Sequence, residues 1–325
     1  MPELFFSHAI RAALEEETER DPAVILLGED IAGYGGAFKL TEGIVDRFGC
    51  ERVLNTPIAE GGFVGVAVGA AMTGLRPVAE IMFMDFITLA VDQLVNHAAK
   101  FHYQFGEQCH VPLVVRCPYG AGRGYGPTHS QSLERFFVAT PGLVVVCPST
   151  AEDAKGLLKS AIRCDDPVIF LESKILYGHR GEVPEGDYTV PLGQARVALE
   201  GEDVTVLAYG RMVEEALKAA EALSEHGVAT EVLDLRTLAP LDAEAVKSSL
   251  EKTGRVVVVE EGTLTGGVGA EIVARVTEEC FDYLQAPPKR VAALDTPVPS
   301  SRTLERAAIP DFKGIATAIA DVVAY

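Results

Sequence analysis

Three residues of unlike chemistry follow three apolar, strand-like runs. Glu60 follows Val53–Leu54, within Asn55-Thr56-Pro57-Ile58-Ala59-Glu60-Gly61-Gly62. Phe86 follows Val78–Ile81, within Met82-Phe83-Met84-Asp85-Phe86. His129 follows Leu113–Cys117, at the end of a glycine-rich stretch that closes in Thr128-His129-Ser130-Gln131-Ser132. Ligands of open parallel sheets bind beyond the carboxyl ends of the strands. A carboxylate, an aromatic ring and an imidazole are therefore expected on one rim, with general acid–base chemistry within reach. Each residue alone also has a plainer reading. An acidic residue near a helix start is favoured by the helix dipole, Phe86 can be core, and His129 can cap or pack in a loop. The glycines from Gly120 to Gly126 suit phosphate binding or, equally, an irregular loop with positive φ. They are not a P-loop, since no Gly-Lys-Ser/Thr follows. A second set, Gly262 and Gly266-Gly267-x-Gly269, follows Arg255–Glu260 and has the look of a dinucleotide fingerprint, which keeps a nucleotide-binding oxidoreductase open as an alternative.

The elements that must carry these residues alternate from start to end. Helical spacing runs through Ser7–Arg20, Gly61–Thr73, Thr88–Tyr103 and Ala151–Arg163, the last with Ser149 or Thr150 as a cap. Between them lie strand-like runs at Val24–Leu27, Val53–Leu54, Val78–Ile81, Leu113–Cys117, Leu143–Cys147 and Val168–Leu171. These are apolar throughout, which predicts a parallel sheet covered on both faces. Glycines and prolines interrupt the rhythm over Tyr177–Gly201. A second alternating set begins with strand Val204–Ala208 and ends with helix Gly314–Tyr325. The fold class is α/β with two doubly wound domains, residues 1–180 and 201–325, joined by a linker over 181–200.

Composition narrows the function. The 325 residues are 48% hydrophobic and 23% charged, the profile of a soluble globular protein. The formal net charge of −19 and the lack of a basic stripe argue against nucleic acid as a partner. The apolar stretch Phe63–Leu75 is broken by Gly65, Gly69 and Gly74 and is too short to span a bilayer, so no membrane is expected. The six cysteines form no C-x-x-C pair and read as free thiols in a reducing, cytoplasmic setting.

The run Leu54-Asn55-Thr56-Pro57-Ile58-Ala59-Glu60 resembles a motif of the beta subunits of thiamine-diphosphate-dependent 2-oxoacid dehydrogenases. Other segments match that family in order, among them Leu27-Gly28-Glu29-Asp30, Gly74-Leu75-Arg76-Pro77, Asp92-Gln93-Leu94-Val95-Asn96, His129-Ser130-Gln131-Ser132, Pro148-Ser149-Thr150 and Asp234-Leu235-Arg236-Thr237-Leu238. The resemblance spans nearly the whole chain. It implies a thiamine diphosphate pyrimidine-binding domain followed by a smaller transketolase C-terminal-like domain. Glu60 would hydrogen-bond the aminopyrimidine ring and favour the tautomer that takes the proton from the thiazolium carbon. Phe86 would stack on that ring, and Ile58 and Met82 would line the same pocket. His129 would serve as proton donor or acceptor when the acyl group passes to a lipoyl disulfide. A potassium ion would rest on the backbone carbonyls of Leu113, Ala161, Ile162, Cys164 and Asp166. Cys164 departs from the Asp of many relatives, which carbonyl ligation tolerates.

What the resembling enzymes need and this chain lacks is equally informative. They hold the diphosphate and Mg²⁺ with a Gly-Asp-Gly motif that ends in an Asn pair. No Gly-Asp-Gly occurs here, and Asn55 and Asn96 are the only asparagines. The resemblance thus implies an alpha subunit that supplies the diphosphate half, in an α2β2 heterotetramer attached to a lipoyl acyltransferase core. In the resembling family Met is common at the position of Met82 in pyruvate-type and acetoin-type subunits, where relatives acting on branched-chain 2-oxoacids often have Gln. The segments Ile81–Phe86 and Asn96–Phe101 look closest to the acetoin type, and the expected substrate is small, pyruvate or acetoin.

Overall fold

The computed structural model describes residues 2–325. Two units emerge. The first joins the chain up to Tyr119 with Phe136–Leu192, and the second joins Gly120–Arg135 with Gly193–Tyr325.

The first unit contains β1 (Glu3–Phe5), β2 (Val24–Glu29), β3 (Val53–Thr56), β4 (Arg76–Glu80), β5 (Val114–Tyr119), β6 (Val144–Val146), β7 (Val168–Ser173) and β8 (Arg180–Glu182). Six of them form a parallel sheet in the order β6-β7-β5-β4-β2-β3. β1 and β8 make a separate antiparallel ribbon. β2, β5 and β7 are buried along their whole length, as strands of a parallel sheet covered on both faces are, with Glu29, Arg116 and Glu172 buried among their apolar residues. The helices Phe6–Arg20 and Ala151–Arg163 pack together over this core through Ile10, Ala13, Leu14, Leu157 and Leu158. Thr150 caps the second of them, its hydroxyl accepting the Asp153 amide at 3.1 Å.

The region expected as one helix over Thr88–Tyr103 is three pieces: a 3₁₀ segment at Met84–Ala90, a π segment at Gln93–Ala98 and an α-helix at Ala99–Gln104. The physical reason lies in a neighbour. The helix Glu60–Met72 comes so close that a Cβ on Gly61 would sit 2.9 Å from the Leu89 carbonyl oxygen. Apolar periodicity reports which face is buried; it does not report how tightly the turns are wound.

The second unit contains β9 (Arg196–Leu199), β10 (Val204–Ala208), β11 (Thr230–Asp234), β12 (Thr237–Ala239), β13 (Val256–Thr263) and β14 (Lys289–Ala293). Its five-stranded sheet runs β14-β13-β10-β11-β9, parallel except for β9. The helices Arg211–Ser224 and Phe312–Val323 bury Met212, Ala216, Ile315 and Ile319 against the strand residues Val206, Val232 and Val257. β9 lies inside the glycine- and proline-rich stretch. Among the described residues no helix is long and apolar enough to cross a membrane.

Candidate active site

In the first unit β2, β3 and β4 lie side by side and end at one rim. β2 ends at Glu29, paired with Thr56 of β3, and β4 ends at Glu80. The next two segments carry expected site residues. Glu60 is the first residue of the helix Glu60–Met72 and is only 4% exposed. No side chain caps that helix, so the acidic side chain itself stands in its first turn. Glu29 is 5% exposed and lies close enough to Glu60 for their charges to repel. Burial first, then Glu60, then Asp30 push the Glu29 carboxyl up to about 7. Glu29 Oε1 and Thr56 Oγ1 are buried without a hydrogen-bond partner. Two orphaned polar atoms in register beside a buried carboxylate fit the polar edge of a heterocyclic ligand.

Glu29 is a site residue for which sequence reasoning gave no role, although its segment was part of the family likeness. The available signal was a glutamate closing a fully apolar strand. Its partner Glu60 is distant in sequence, so the pairing was invisible there. The pair has a pH consequence. Folded Glu29 keeps its proton to about pH 7, whereas an ordinary carboxyl releases it near 4.5. The native state then binds more protons across that window, and stability falls as pH rises through it. Glu29→Gln should remove this share of the slope, gaining stability over the parent above pH 7 and nothing below pH 4.5. Urea midpoints across pH 4–8 measure it, and parallel profiles for parent and variant would sink the assignment.

The apolar residues expected at the cofactor stand nearby. Phe86 is on the 3₁₀ segment Met84–Ala90, which contacts the Glu60 helix at Gly61. It is half-buried and meets Phe83 edge-on at 6.1 Å. Phe83 in turn packs edge-on against Phe38 at 5.5 Å and lies under the Lys174 ammonium. This framework fixes Phe86 from behind. Met82, just past β4, is half-buried, and Ile58 is 83% exposed. The structure thus gathers Glu60, Phe86, Met82 and Ile58 around one strand-end rim.

His129 lies on the segment 120–135 of the second unit. It is half-buried, with Nδ1 3.1 Å from the Thr128 hydroxyl. The preceding glycines do adopt positive φ at 120, 122, 124 and 126. Several amides of this stretch are already met within the same unit: Gly120 N donates to the Gln131 carbonyl at 3.2 Å, Ala121 N to Glu261 at 2.6 Å, and Gly122 N and Gly124 N to Glu305 at 2.8 and 2.9 Å. The dinucleotide-like glycines are filled in the same manner. Glu260 accepts the Gly269 amide at 3.0 Å, at the N-terminus of the helix Val268–Glu279 where a phosphate would sit. Burial and the adjacent Glu134 push Glu260 up to about 7.

The carbonyls expected to hold potassium cluster around the end of the helix Ala151–Arg163, where a helix leaves carbonyls unpaired. The side chain of Arg76 reaches two of these carbonyls. Arg76 Nη1 donates to the Ile162 carbonyl at 3.1 Å and the Cys164 carbonyl at 2.9 Å, and Nη2 pairs with Asp165 at 2.5 Å. Leu113 O accepts the Val168 amide, and Ala161 O the Cys164 amide. Each carbonyl oxygen retains a second lone pair.

Residues 3–180 match the family model "Transketolase, pyrimidine binding domain", and residues 193–315 match "Transketolase, C-terminal domain". A rice (Oryza sativa subsp. japonica) "Pyruvate dehydrogenase E1 component subunit beta-2, mitochondrial" is 46% identical over 97% of this chain and 85% of its own length. The "Acetoin:2,6-dichlorophenolindophenol oxidoreductase subunit beta" of Bacillus subtilis (strain 168) is 48% identical over 94% of this chain and 92% of its own. A solved "Split gene transketolase, inactive beta4 tetramer" superposes with a TM-score of 0.80 over 98% of each chain; at 24% identity it speaks to the fold alone. Together with Glu60, Phe86 and the paired domains, these relatives place the chain in the family of thiamine-diphosphate-dependent 2-oxoacid dehydrogenase beta subunits.

Proposed function

We propose that this chain is the aminopyrimidine-activating half of a two-chain active site. Joined to an alpha subunit in an α2β2 heterotetramer, it oxidatively decarboxylates a small 2-oxoacid, pyruvate first, and passes the acyl group to the lipoyl arm of an acyltransferase core. The observation that carries the reading is the buried Glu29–Glu60 pair, with its orphaned oxygen, beside the bare apolar surface of Ile58. Bound thiamine diphosphate supplies the electron sink for decarboxylation. Glu60 would hold a proton against the ring nitrogen at its carboxylate, and a protonated Glu29 spares it the repulsion of a second charge. Phe86 would orient the ring by stacking, with Ile58 and Met82 closing its apolar edge against water. His129 would donate or accept the proton at the transfer step. Mg²⁺ belongs to the alpha subunit in this scheme. Free cysteines throughout suit a cytoplasmic setting.

Acetoin is the second substrate reading, supported by the 48% identity to the Bacillus relative. Co-expression with an alpha subunit, followed by dye reduction on pyruvate, branched-chain 2-oxoacids and acetoin, separates these outcomes. The lone chain should bind Mg²⁺–thiamine diphosphate only weakly, while the pair turns over. Tight stoichiometric binding by the lone chain would falsify the half-site.

Potassium would share the Ile162 and Cys164 carbonyls with Arg76, using the second lone pairs of those oxygens and the carbonyls of Leu113, Ala161 and Asp166. Melting in potassium against sodium chloride at equal ionic strength tests this. A melting point higher in potassium by several degrees is expected from mass action on a bound ion. Superimposable melts would mean that Arg76 alone neutralises the turn.

A further inference from the structure

Glu305 has no part in the scheme so far, yet it is only 1% exposed and points both carboxylate oxygens at the loop that carries His129. Oε1 accepts Gly122 N at 2.8 Å, and Oε2 accepts Gly124 N at 2.9 Å. At its base the loop is also held by Gly120 N on the Gln131 carbonyl at 3.2 Å and Ala121 N on Glu261. Positive φ at every second residue from Gly120 to Gly126 turns amides toward one side, the arrangement that receives an anion. The stretch before Glu305 lies along the same loop. A Cβ on Gly126 would come 2.5 Å from the Ser300 hydroxyl oxygen, and one on Gly124 3.3 Å from the Ser300 carbonyl. Gly126 is therefore pinned from the side, and its carbonyl accepts the His129 amide at 3.4 Å. Amides of Gly122 and Gly124 thus fix the arm of the loop that leads to His129.

We propose that Glu305 is a positioning residue for His129, acting through this amide cradle. The inference rests on the proposed role of His129 in acyl transfer. Its chemistry is specific to a carboxylate. Gly124 N is shared between Oε2 at 2.9 Å and Oε1 at 3.2 Å, and Oε1 also accepts Gly122 N. A glutamine in place of Glu305 keeps one acceptor oxygen for both amides and turns an NH₂ group toward Gly124 N, so the shorter of the two Gly124 bonds is replaced by a donor facing a donor. The loop then loses its setting while the bulk of the side chain is kept. The step that depends on the orientation of the imidazole suffers first.

The test uses the complete α2β2 enzyme carrying E305Q, H129A or both, with two assays. Dye reduction reads decarboxylation without the lipoyl acceptor, and acyl transfer to a lipoyl domain reads the full sequence. E305Q should lower kcat for lipoyl transfer about 10-fold or more, change the pH profile of that step, and leave dye reduction within about 3-fold. In the H129A background E305Q should add little, since residues acting as one unit are not additive. A merely structural Glu305 would lower both assays together with the melting temperature, and its effect would add to that of H129A; either result overturns the proposal. If H129A itself leaves lipoyl transfer intact, the role of His129 fails, and the positioning of His129 by Glu305 fails with it. That failure is told apart from the first because the H129A arm, measured alone, reports it.

Discussion

Glu60→Gln in the assembled enzyme is expected to lower kcat for dye reduction about 10²–10⁴-fold, the usual worth of a general acid–base group. The same variant should fold as well as the parent or better. Glu60 is buried at the start of its helix, and its charge repels that of Glu29. Glutamine keeps the shape and removes the repulsion. The Glu29 carboxyl should accordingly move back from about 7 toward the ordinary range in the variant. A loss of activity paired with unimpaired stability marks a group retained for chemistry and not for packing. Turnover within about 3-fold of the parent would remove Glu60 from the mechanism.

A second large effect lies beneath the rim. Arg116, on β5, is 2% exposed and bonds two carboxylates: Glu172 through Nε and Nη2 at 2.7 and 2.9 Å, and Glu80 through Nη1 at 2.8 Å. Tyr177 donates its hydroxyl to Glu172 at 2.6 Å. Burial drives the Glu80 carboxyl upward even against the attraction of Arg116. Arg116→Met would strand two acids in the core, a loss of about 3–5 kcal/mol by analogy with broken buried pairs. At roughly 2–4 °C per kcal/mol the melting point should drop by about 10 °C. Pairing Arg116→Met with Glu172→Leu should recover part of that, because apolar replacement of a whole pair is often neutral. Thermal melts of the two variants decide it. A drop below about 2 °C in the single variant would mean that water or protonation relieves the acids, and that the cluster does not hold these three strands together.

Much of this was legible in the amino-acid sequence, for reasons that particular elements make plain. Uniformly apolar runs such as Val168–Leu171 announced parallel, doubly covered strands, and the structure places β7 there from Val168 to Ser173. The helix at Ala151–Arg163 was readable to the residue, since Thr150 and Asp153 carry a local capping signal. β9 was not legible. It is an edge strand whose residues alternate between half-buried and exposed, within a stretch punctuated by glycine and proline. The 3₁₀ turn that carries Phe86 and the π turn after it were hidden because apolar spacing marks a buried face and not how tightly its turns wind. Glu60, Met82 and Phe86 could be named from motif order, whereas Glu29, Glu80 and Arg116 owe their environments to strands far apart in sequence. Charge counts had the same blind spot: Arg76 answers the Ile162 and Cys164 carbonyls from a distant strand.

The filled anion seats carry one more consequence. Glu305 in the glycine loop and Glu260 at the helix Val268–Glu279 are ligands attached to their own receptors. A free phosphate arriving at either place competes with a carboxyl group that never diffuses away. Tethering of that kind gives an effective concentration far above any metabolite level. The glycine patterns therefore persist as shapes whose usual guests are shut out. A nucleotide-binding descendant would have to lose Glu260 before it could gain anything else.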